Sequence, residues 1–378
     1  MRSFVFGIYF LIAMACSEKK TEDATNQIRF SVIVSDTLFV DPGDEILYLQ
    51  DGLAGAQLAD DGRYLYNFDR RENAVEVIDL DQLKLERKIR FEKEGPDGTG
   101  GYVQSMHYAG EGNFVMAENH QLGIFNINAT KLGTYKIHEQ TFRGDTLLEN
   151  ESLEITGILD ERSSNFITLY TEGFGKPLGI AKVRLEDYHL TKVPVSALVN
   201  LENFRVELSD GQSMSVAHPG TYKTYVSGKL LLSSNAVNEA FLYDPKDDVL
   251  QHFTFDSRIT ANSQKQNLKN KVHSSEEFHE VLAERGEDVS FLHFTYDKVH
   301  NRYYRLSQVY IGEGADGNRY KSILTVFDRD FNQLFETDDL PLNKAYWKYF
   351  AKDGKVYLYE NIMDEMAFVV LEVEEKNQ

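Results

Sequence analysis

One pattern of short strands recurs six times along this chain and constrains its fold more than any other feature. Each copy passes from a turn into a strand, through a polar hairpin into a second strand, and on to a third. The first copy covers residues 62–67, 75–79 and 85–91, and later copies begin near residues 113, 165, 229, 302 and 355. The strands draw on 24 Phe and 21 Tyr, and Gly, Asp and Asn separate them. This is the pattern of β-strands joined by turns.

A further extended segment precedes each copy after the first, which gives four strands per unit. Four-stranded units that repeat radially form a β-propeller. The sixth unit lacks its last strand, while an unassigned strand, residues 28–34, precedes the first unit. Pairing the two would close the ring and remove an exposed sheet edge. We therefore predict an all-β fold, a single six-bladed β-propeller over residues 28–378 that the N-terminal strand closes. A β-sandwich, or two stacked all-β domains, is the alternative.

The one break in the pattern is a polar segment, residues 259–288. Within it, Ser274 and Glu277 have the spacing of a helix capping box. Phe278, Val281 and Leu282 then fall on one face of a helix. The sequence predicts a short helical insertion near residues 275–285.

The only cysteine, Cys16, follows a segment typical of an export signal. Arg2 supplies a positive start, and residues 4–14 carry no charge. This segment is too short to span a bilayer, which takes about 20 residues. Residues 13–16 resemble the cleavage box of Gram-negative lipoproteins, in which the cysteine becomes the lipidated first residue. We predict a signal peptide over residues 1–15, a flexible tether over 16–27, and acyl chains on Cys16. An ordinary secretion signal with an incidental cysteine is the alternative.

The charge of the chain limits its partners. A formal net charge of −20 repels phosphate backbones, so we expect no nucleic-acid partner. It also opposes attraction to an anionic membrane surface, so membrane attachment would rest on the acyl chains. With one cysteine there is no internal disulfide, and a large hydrophobic core must supply the stability. We expect a monomer on the cell envelope, lipid-anchored at the outer membrane and facing the periplasm or the cell surface.

A glycine-rich link, residues 94–102, joins the first unit to the second. Together with residues 113–125 it resembles an NHL-type propeller repeat, and the other units share its strand order. The whole pattern resembles uncharacterised Gram-negative lipoproteins with a six-bladed propeller, related to the NHL and TolB-like groups. The resemblance implies fold and location and carries over no catalytic residue. In this link, Glu94, Asp97 and Tyr102 are candidate ligand-binding residues, and a tight turn that needs glycine is the alternative.

Two histidines, His107 and His293, lie on or beside predicted first strands, which converge near a propeller axis. We take both as candidate ligand-binding residues. Their spacing matches no paired metal motif, so we predict no metal site and no cofactor. A divalent cation is the one cofactor left open. The acidic segments 41–45 and 244–248 are more typical of turns than of calcium loops.

The sequence gives little support for catalysis. It contains no G-x-S-x-G elbow, and the thiol is assigned to the anchor. Paired acids for glycoside hydrolysis stay open, because their separation in space decides that activity. We favour a membrane-anchored, extracytoplasmic binding or scaffold protein for a protein, peptide or small ligand. The alternative is a metal-dependent propeller hydrolase or lyase with an axial site. Extracytoplasmic sensing is a third possibility.

Overall fold

The computed structural model describes residues 29–118, 121–160, 164–209, 211, 213–266, 269–314, 317–342 and 344–376. The predicted signal peptide, the tether and Cys16 lie outside these ranges. Within them, no helix combines the length and the apolar character that a membrane crossing requires.

Six mainly antiparallel sheets account for most of the described chain. We number them in chain order, from sheet 1 to sheet 6. The strands of sheets 1 and 2 are Gln57–Leu58, Tyr64–Asp69, Ala74–Asp79 and Lys84–Arg90, then Ser105–Tyr108, Asn113–Glu118, Gln121–Asn126 and Lys131–Tyr135. Sheet 3 contains Arg143–Gly144, Glu151–Leu153, Ile158–Leu159, Asn165–Glu172, Lys176–Arg184 and His189–Pro194. Sheets 4 and 5 contain Thr221–Val226, Lys229–Ser234, Glu239–Asp244 and Val249–Thr254, then Ser290–Asp297, Arg302–Gly314, Gly317–Asp328 and Gln333–Thr337. Sheet 6 contains Tyr349–Lys352, Lys355–Ile362, Glu365–Lys376 and Arg29–Phe39.

The two middle strands of a sheet are buried on both faces. In sheet 1, Tyr64–Asp69 and Ala74–Asp79 are almost wholly buried, whereas the outer strand Lys84–Arg90 is mostly exposed. Middle strands therefore need apolar side chains at successive positions, and this need produces the repeated apolar runs of the sequence.

The predicted pairing of the first and last strands is confirmed. Arg29–Phe39 lies antiparallel to Glu365–Lys376 as the outer strand of sheet 6. Val34 stands opposite Leu371, and a β-bulge follows between Val34 and Asp36. Both ends of the described chain thus meet in one sheet.

Six hydrophobic clusters join the sheets in succession. Representative pairs, from the interface of sheets 1 and 2 onward, are Phe68 with Phe114, Val115 with Val183, Ile180 with Leu232, Leu231 with Phe294, and Leu306 with Leu358. A sixth cluster joins sheet 6 to sheet 1, where Phe368 and Leu65 belong to the same group. The predicted β fold is therefore confirmed, and each sheet packs on the sheets before and after it.

Each sheet has two distinct ends. Antiparallel pairing places the start of the first strand and the connection between the second and third strands at one end, here called the link end. The opposite end, called the hairpin end, carries the other two connections. Link ends of neighbouring sheets contact each other: the Arg70 guanidinium donates to the carbonyl oxygen of Gln104 at 3.0 Å, and the N–H of Phe291 donates to the carbonyl oxygen of Asn235 at 3.1 Å.

The predicted helical insertion is present as an α-helix over Ser275–Gly286. The Ser274 hydroxyl accepts the N–H of Glu277 at 3.2 Å, as a capping box requires. The Glu277 carboxylate, however, accepts the N–H of His273 at 3.1 Å, one residue before the cap. The helix packs through Val281 onto Val206 and neighbouring apolar side chains.

The helix rests on a small sheet that the sequence did not predict. Its strands are Val206–Ser209, Met214–Ala217 and Lys271–Val272, and the last is parallel to the first. The small sheet therefore joins the link that precedes sheet 4 to the link that follows it. The other short helical segments are Ile137–Glu139, Ser196–Val199 and Asn200–Phe204.

Candidate functional site

An aromatic cluster forms where the first strands of sheets 4, 5 and 6 meet. The His293 ring lies 4.2 Å from the Tyr349 ring and 5.9 Å from the Tyr222 ring, centroid to centroid. His293 Nε2 lies 2.9 Å from the carbonyl oxygen of Tyr349, so this nitrogen carries the proton in the neutral ring. The Tyr349 hydroxyl donates to the carbonyl oxygen of His293 and accepts the N–H of Leu306 at 3.0 Å. We call Tyr222, His293 and Tyr349 the axial cluster.

Burial keeps the histidines neutral. It lowers the pKa of His293 to about 4, and the positive charge of Lys348 contributes to this shift. Burial alone lowers the pKa of His107 to about 4. Burial also raises the pKa of Tyr222 to about 12. At neutral pH these side chains can bind a ligand by hydrogen bonds and ring contacts, without contributing charge.

The two histidines belong to different first strands, His107 to that of sheet 2 and His293 to that of sheet 5. Among the described residues, no group of three or more His, Cys, Asp or Glu side chains could hold a metal ion. The divalent cation considered from the sequence therefore stays a prediction. Metal analysis of purified protein, repeated after His107 and His293 are each replaced, tests it.

The glycine-rich link is held by hydrogen bonds to neighbouring segments of sheets 1 and 2. Asp97 Oδ1 accepts the N–H of Lys131 at 2.8 Å. The Thr99 hydroxyl accepts from the Asn73 amide at 2.9 Å. Glu94 is exposed, and no contact joins it to the axial cluster in the described structure. Asp97 thus ties the link to the last strand of sheet 2.

Glycine is favoured at three positions of this link: Gly95 has a φ of +91°, a Cβ at Gly98 would lie 2.7 Å from the backbone of Glu94, and Gly100 is constrained in both ways. A Cβ at Gly100 would lie 1.7 Å from the Glu118 carboxylate, and its φ is +97°. The next residue, Gly101, donates its N–H to Glu118 Oε1 at 2.8 Å. Tyr102 then projects outward, with the Arg70 guanidinium 5.7 Å from its ring centroid. Tyr102, whose side chain is 60% exposed, is therefore open to a partner.

The acidic segments form turns, as predicted. Asp41 Oδ1 accepts the N–H of Gly43 at 2.8 Å, and Asp244 Oδ1 accepts the N–H of Lys246 at 3.0 Å. Both are side-chain-to-backbone contacts two residues apart, which is how Asp stabilises a turn.

The sequence did not predict a cleft that opens between sheets 6 and 1 at the link end. It has a volume of about 210 Å³, and its lining includes Gly52, Trp347, Lys348, Tyr359 and Glu360. We call it the seam cleft. Trp347 immediately precedes Lys348 and the first strand of sheet 6, and its side chain is 54% exposed. A lone tryptophan beside a lysine was the one sequence signal for this site.

The polar groups of the seam cleft are unequally satisfied. Glu360 accepts hydrogen bonds from Lys344 and, at 3.2 Å, from the Tyr346 hydroxyl. Lys348 donates to the carbonyl oxygen of Ala56, and burial lowers its pKa to about 8. The Tyr359 hydroxyl is buried without a hydrogen-bond partner.

A second cleft, of about 380 Å³, follows the link between sheets 2 and 3. Its lining residue Glu151 is already paired with Lys192 at 2.5 Å. Because this carboxylate is neutralised, the second cleft offers less unsatisfied polarity than the seam cleft.

Exposed large apolar side chains gather at the link end. Four come from connections or first-strand approaches, namely Tyr102, Phe174, Trp347 and Met363, and the fifth, Ile311, lies near the end of the second strand of sheet 5. Together they belong to four sheets. At the hairpin end, the described residues of this kind are Val249 and Val299. The others lie on outer strands or within the longer links. We call the five link-end side chains the link-end surface.

A solved structure shares this fold. The crystal structure of a member of the DUF4221 family from Bacteroides vulgatus ATCC 8482 matches with a TM-score of 0.67 and 15% identity, over 93% of this chain and all of that one (100%). At this identity the likeness shows the fold alone. A protein named as exported, from Bacteroides fragilis NCTC 9343, gives a TM-score of 0.49 and 8% identity, over 94% of this chain and 97% of that one. The extracellular domain of a one-component system from B. thetaiotaomicron gives 0.44 and 13%, over 84% of this chain and 33% of that one.

No curated protein matches the chain. The family model for a domain of unknown function, DUF4221, matches residues 27–338, which is most of the sequence. The chain therefore belongs to the DUF4221 family.

Proposed function

We propose that this chain is an extracytoplasmic binding protein that holds a protein or peptide partner on its link-end surface. The observation that carries the proposal is the distribution of exposed large apolar side chains. Among the described residues they are more numerous at the link end than at the hairpin end. Aromatic residues and Met are enriched where proteins bind each other. Four of the five link-end side chains are of these types, and the five together, from four sheets, cover too wide a surface for one small ligand.

We infer that the six sheets are the blades of a closed six-bladed propeller. The hydrophobic clusters between successive sheets, including the one from sheet 6 to sheet 1, support this inference. A contact at the hairpin end also supports it, because the Lys352 ammonium of sheet 6 donates to the Asp81 carboxylate of sheet 1 at 2.7 Å. A ring of this kind presents its loops on a rigid face, which suits the recognition of a partner.

The same proposal places the protein on the cell envelope, anchored by acyl chains on Cys16. Each buried methylene contributes about 0.8 kcal/mol, and two or more chains hold a protein stably on a membrane. The anchor would keep the propeller at the membrane on its tether, residues 16–27.

Site-specific photocrosslinking in intact cells tests the proposed function. A photoreactive side chain is placed at Phe174 or Met363 on the link-end surface and, as matched controls, at Val249 or Val299 at the hairpin end. We expect discrete crosslinked products from the first pair and none from the second. Equal crosslinking at both ends, or products from the hairpin end alone, would contradict the proposal.

A further inference from the structure

We propose that the seam cleft binds a small organic carboxylate, which lies against the indole of Trp347 and places its carboxylate on the Lys348 ammonium. This site goes beyond the proposed binding of a partner. The two share Trp347, but the seam cleft is closed in by Lys348 and Tyr359, which do not belong to the link-end surface.

The side chains of the seam cleft carry an excess of positive charge. Glu360 is neutralised by Lys344 and takes a second hydrogen bond from Tyr346. An ammonium has three donors, and Lys348 uses one of them on the carbonyl oxygen of Ala56. No carboxylate contributes to the lowered pKa of Lys348, which comes from burial alone. The protein as a whole has a net charge of −20, so a cleft with an excess of positive charge is unusual in it. Such a cleft would attract an anion.

A carboxylate would correct this imbalance. Removing an ammonium from water without an anionic partner is costly, and a charge-assisted hydrogen bond offsets that cost. It would also raise the pKa of Lys348 toward its ordinary value, since a neighbouring negative charge favours the charged form.

The Tyr359 hydroxyl provides a second, independent indication of a ligand. Tyr359 lines the cleft, and its hydroxyl oxygen is buried without a partner. Buried hydroxyls nearly always have a hydrogen-bond partner, because leaving one unsatisfied costs free energy. A ligand oxygen in the seam cleft would satisfy it.

The size and walls of the cleft limit the ligand to a single ring or one amino-acid residue. Pockets for drug-sized ligands run from about 300 to 1,000 Å³, and the seam cleft has about 210 Å³. The half-exposed Trp347 indole gives an apolar wall against which a flat face can lie. Gly52 leaves the opposite side open, since a Cβ there would meet no atom within 4 Å.

The fluorescence of Trp347 reports directly on this site, because the chain contains one tryptophan. The full-length protein is titrated with two carboxylate probes, D-glucuronate and N-acetylleucine. Glucose and N-acetylleucine amide are their uncharged counterparts. We expect a saturable fluorescence change with at least one carboxylate, and roughly tenfold weaker binding of its counterpart, which is the effect of losing one charge-assisted hydrogen bond. Glucuronate binding identifies a sugar acid, and N-acetylleucine binding identifies an amino-acid or peptide carboxylate.

Variants separate the charge from the rest of the cleft. Lys348→Met removes the ammonium and keeps the length of the side chain, so we expect it to abolish the preference for the carboxylate. Lys246→Met makes the same charge change on an exposed residue at the hairpin end and should bind as the native protein does. Tyr359→Phe retains the ring and should weaken binding several-fold, which tests the site even if Lys348→Met does not fold.

Two outcomes would overturn the proposal. One is the absence of any fluorescence change with either carboxylate at several millimolar. The other is equal binding of a carboxylate and its uncharged counterpart. Neither outcome affects the crosslinking pattern expected at the link end, so failure of this site and failure of the proposed function are distinguishable.

Discussion

Replacing Phe368 with Ala tests whether sheets 6 and 1 belong to one cooperative body. The Phe368 side chain is 0% exposed and sits in the cluster that joins the two sheets. Its ring centroid lies 5.4 Å from that of Phe350 and 6.3 Å from that of Tyr357. Because Phe350 and Tyr357 stand opposite each other on paired strands of sheet 6, little of the resulting cavity can close. We expect the free energy of unfolding to fall by about 3–5 kcal/mol, the range for a buried Phe→Ala change.

The shape of the unfolding transition carries as much information as its midpoint. If the six sheets form one ring, weakening this interface weakens the whole molecule, and calorimetry should show one transition at a lower temperature. Phe166→Ala, at a fully buried position in sheet 3, should give the same single transition and a similar loss. Val249→Ala, at a position that is 52% exposed, should change stability by less than about 0.5 kcal/mol.

Two results would refute this reasoning. A loss below about 1 kcal/mol for Phe368→Ala would mean that the cluster between sheets 6 and 1 contributes little. A separate low-temperature transition would mean that sheet 6 unfolds alone, as in two stacked domains.

Three further predictions concern the axial cluster, the glycine-rich link and the anchor. The folded pKa values of His293 and His107, both about 4, lie below the ordinary value of 6.5, so the unfolded chain binds more protons between those values and stability should fall as pH drops from about 6.5 to 4. His293→Gln should reduce this dependence in unfolding curves measured across that range, the remainder coming from His107, and an unchanged slope would contradict it. Gly100→Ala should destabilise the protein by about 1–3 kcal/mol, because its Cβ meets Glu118, whereas Gly101→Ala has open space and should be nearly neutral in thermal unfolding. Cys16→Ser should abolish incorporation of labelled fatty acid and release the protein from the membrane fraction; label retained on the variant would exclude Cys16 as the anchor.

The strand order of this fold was predictable because burial acts on local sequence. Middle strands such as Tyr64–Asp69 are covered on both faces, so their apolar runs stand out. The pairing of the chain ends followed from a count, since the last unit was one strand short. The helix over Ser275–Gly286 was predictable from its cap and its apolar face.

The small sheet was not predictable, because its strands are short and their partners lie on different links. The strand Lys271–Val272 has only two residues and lies within a polar segment. It pairs with Val206–Ser209, which belongs to the link on the other side of sheet 4. Nothing local marks such a strand.

The site was predicted only in part, because side chains from several sheets compose it. His293 was placed near the axis, but its ring partners Tyr222 and Tyr349 come from other sheets. The seam cleft escaped notice because Lys348 and Tyr359, although both belong to sheet 6, become neighbours only when its first two strands pair. The candidates in the glycine-rich link were visible in the sequence because glycines there are dense.

The central claim is that the first and last strands close the molecule, and an engineered disulfide tests it most directly. Ile33 and Glu372 stand opposite each other in the pairing of Arg29–Phe39 with Glu365–Lys376. In a Cys16→Ser background, Ile33→Cys with Glu372→Cys should oxidise readily, because opposed strand residues bring the Cβ atoms close to disulfide distance. Ile33→Cys with Met363→Cys, which places the second thiol at the link end, is the control. The account predicts an altered mobility on a non-reducing gel for the first pair alone. Free thiols in the first pair under oxidising conditions, with the protein folded, would contradict it.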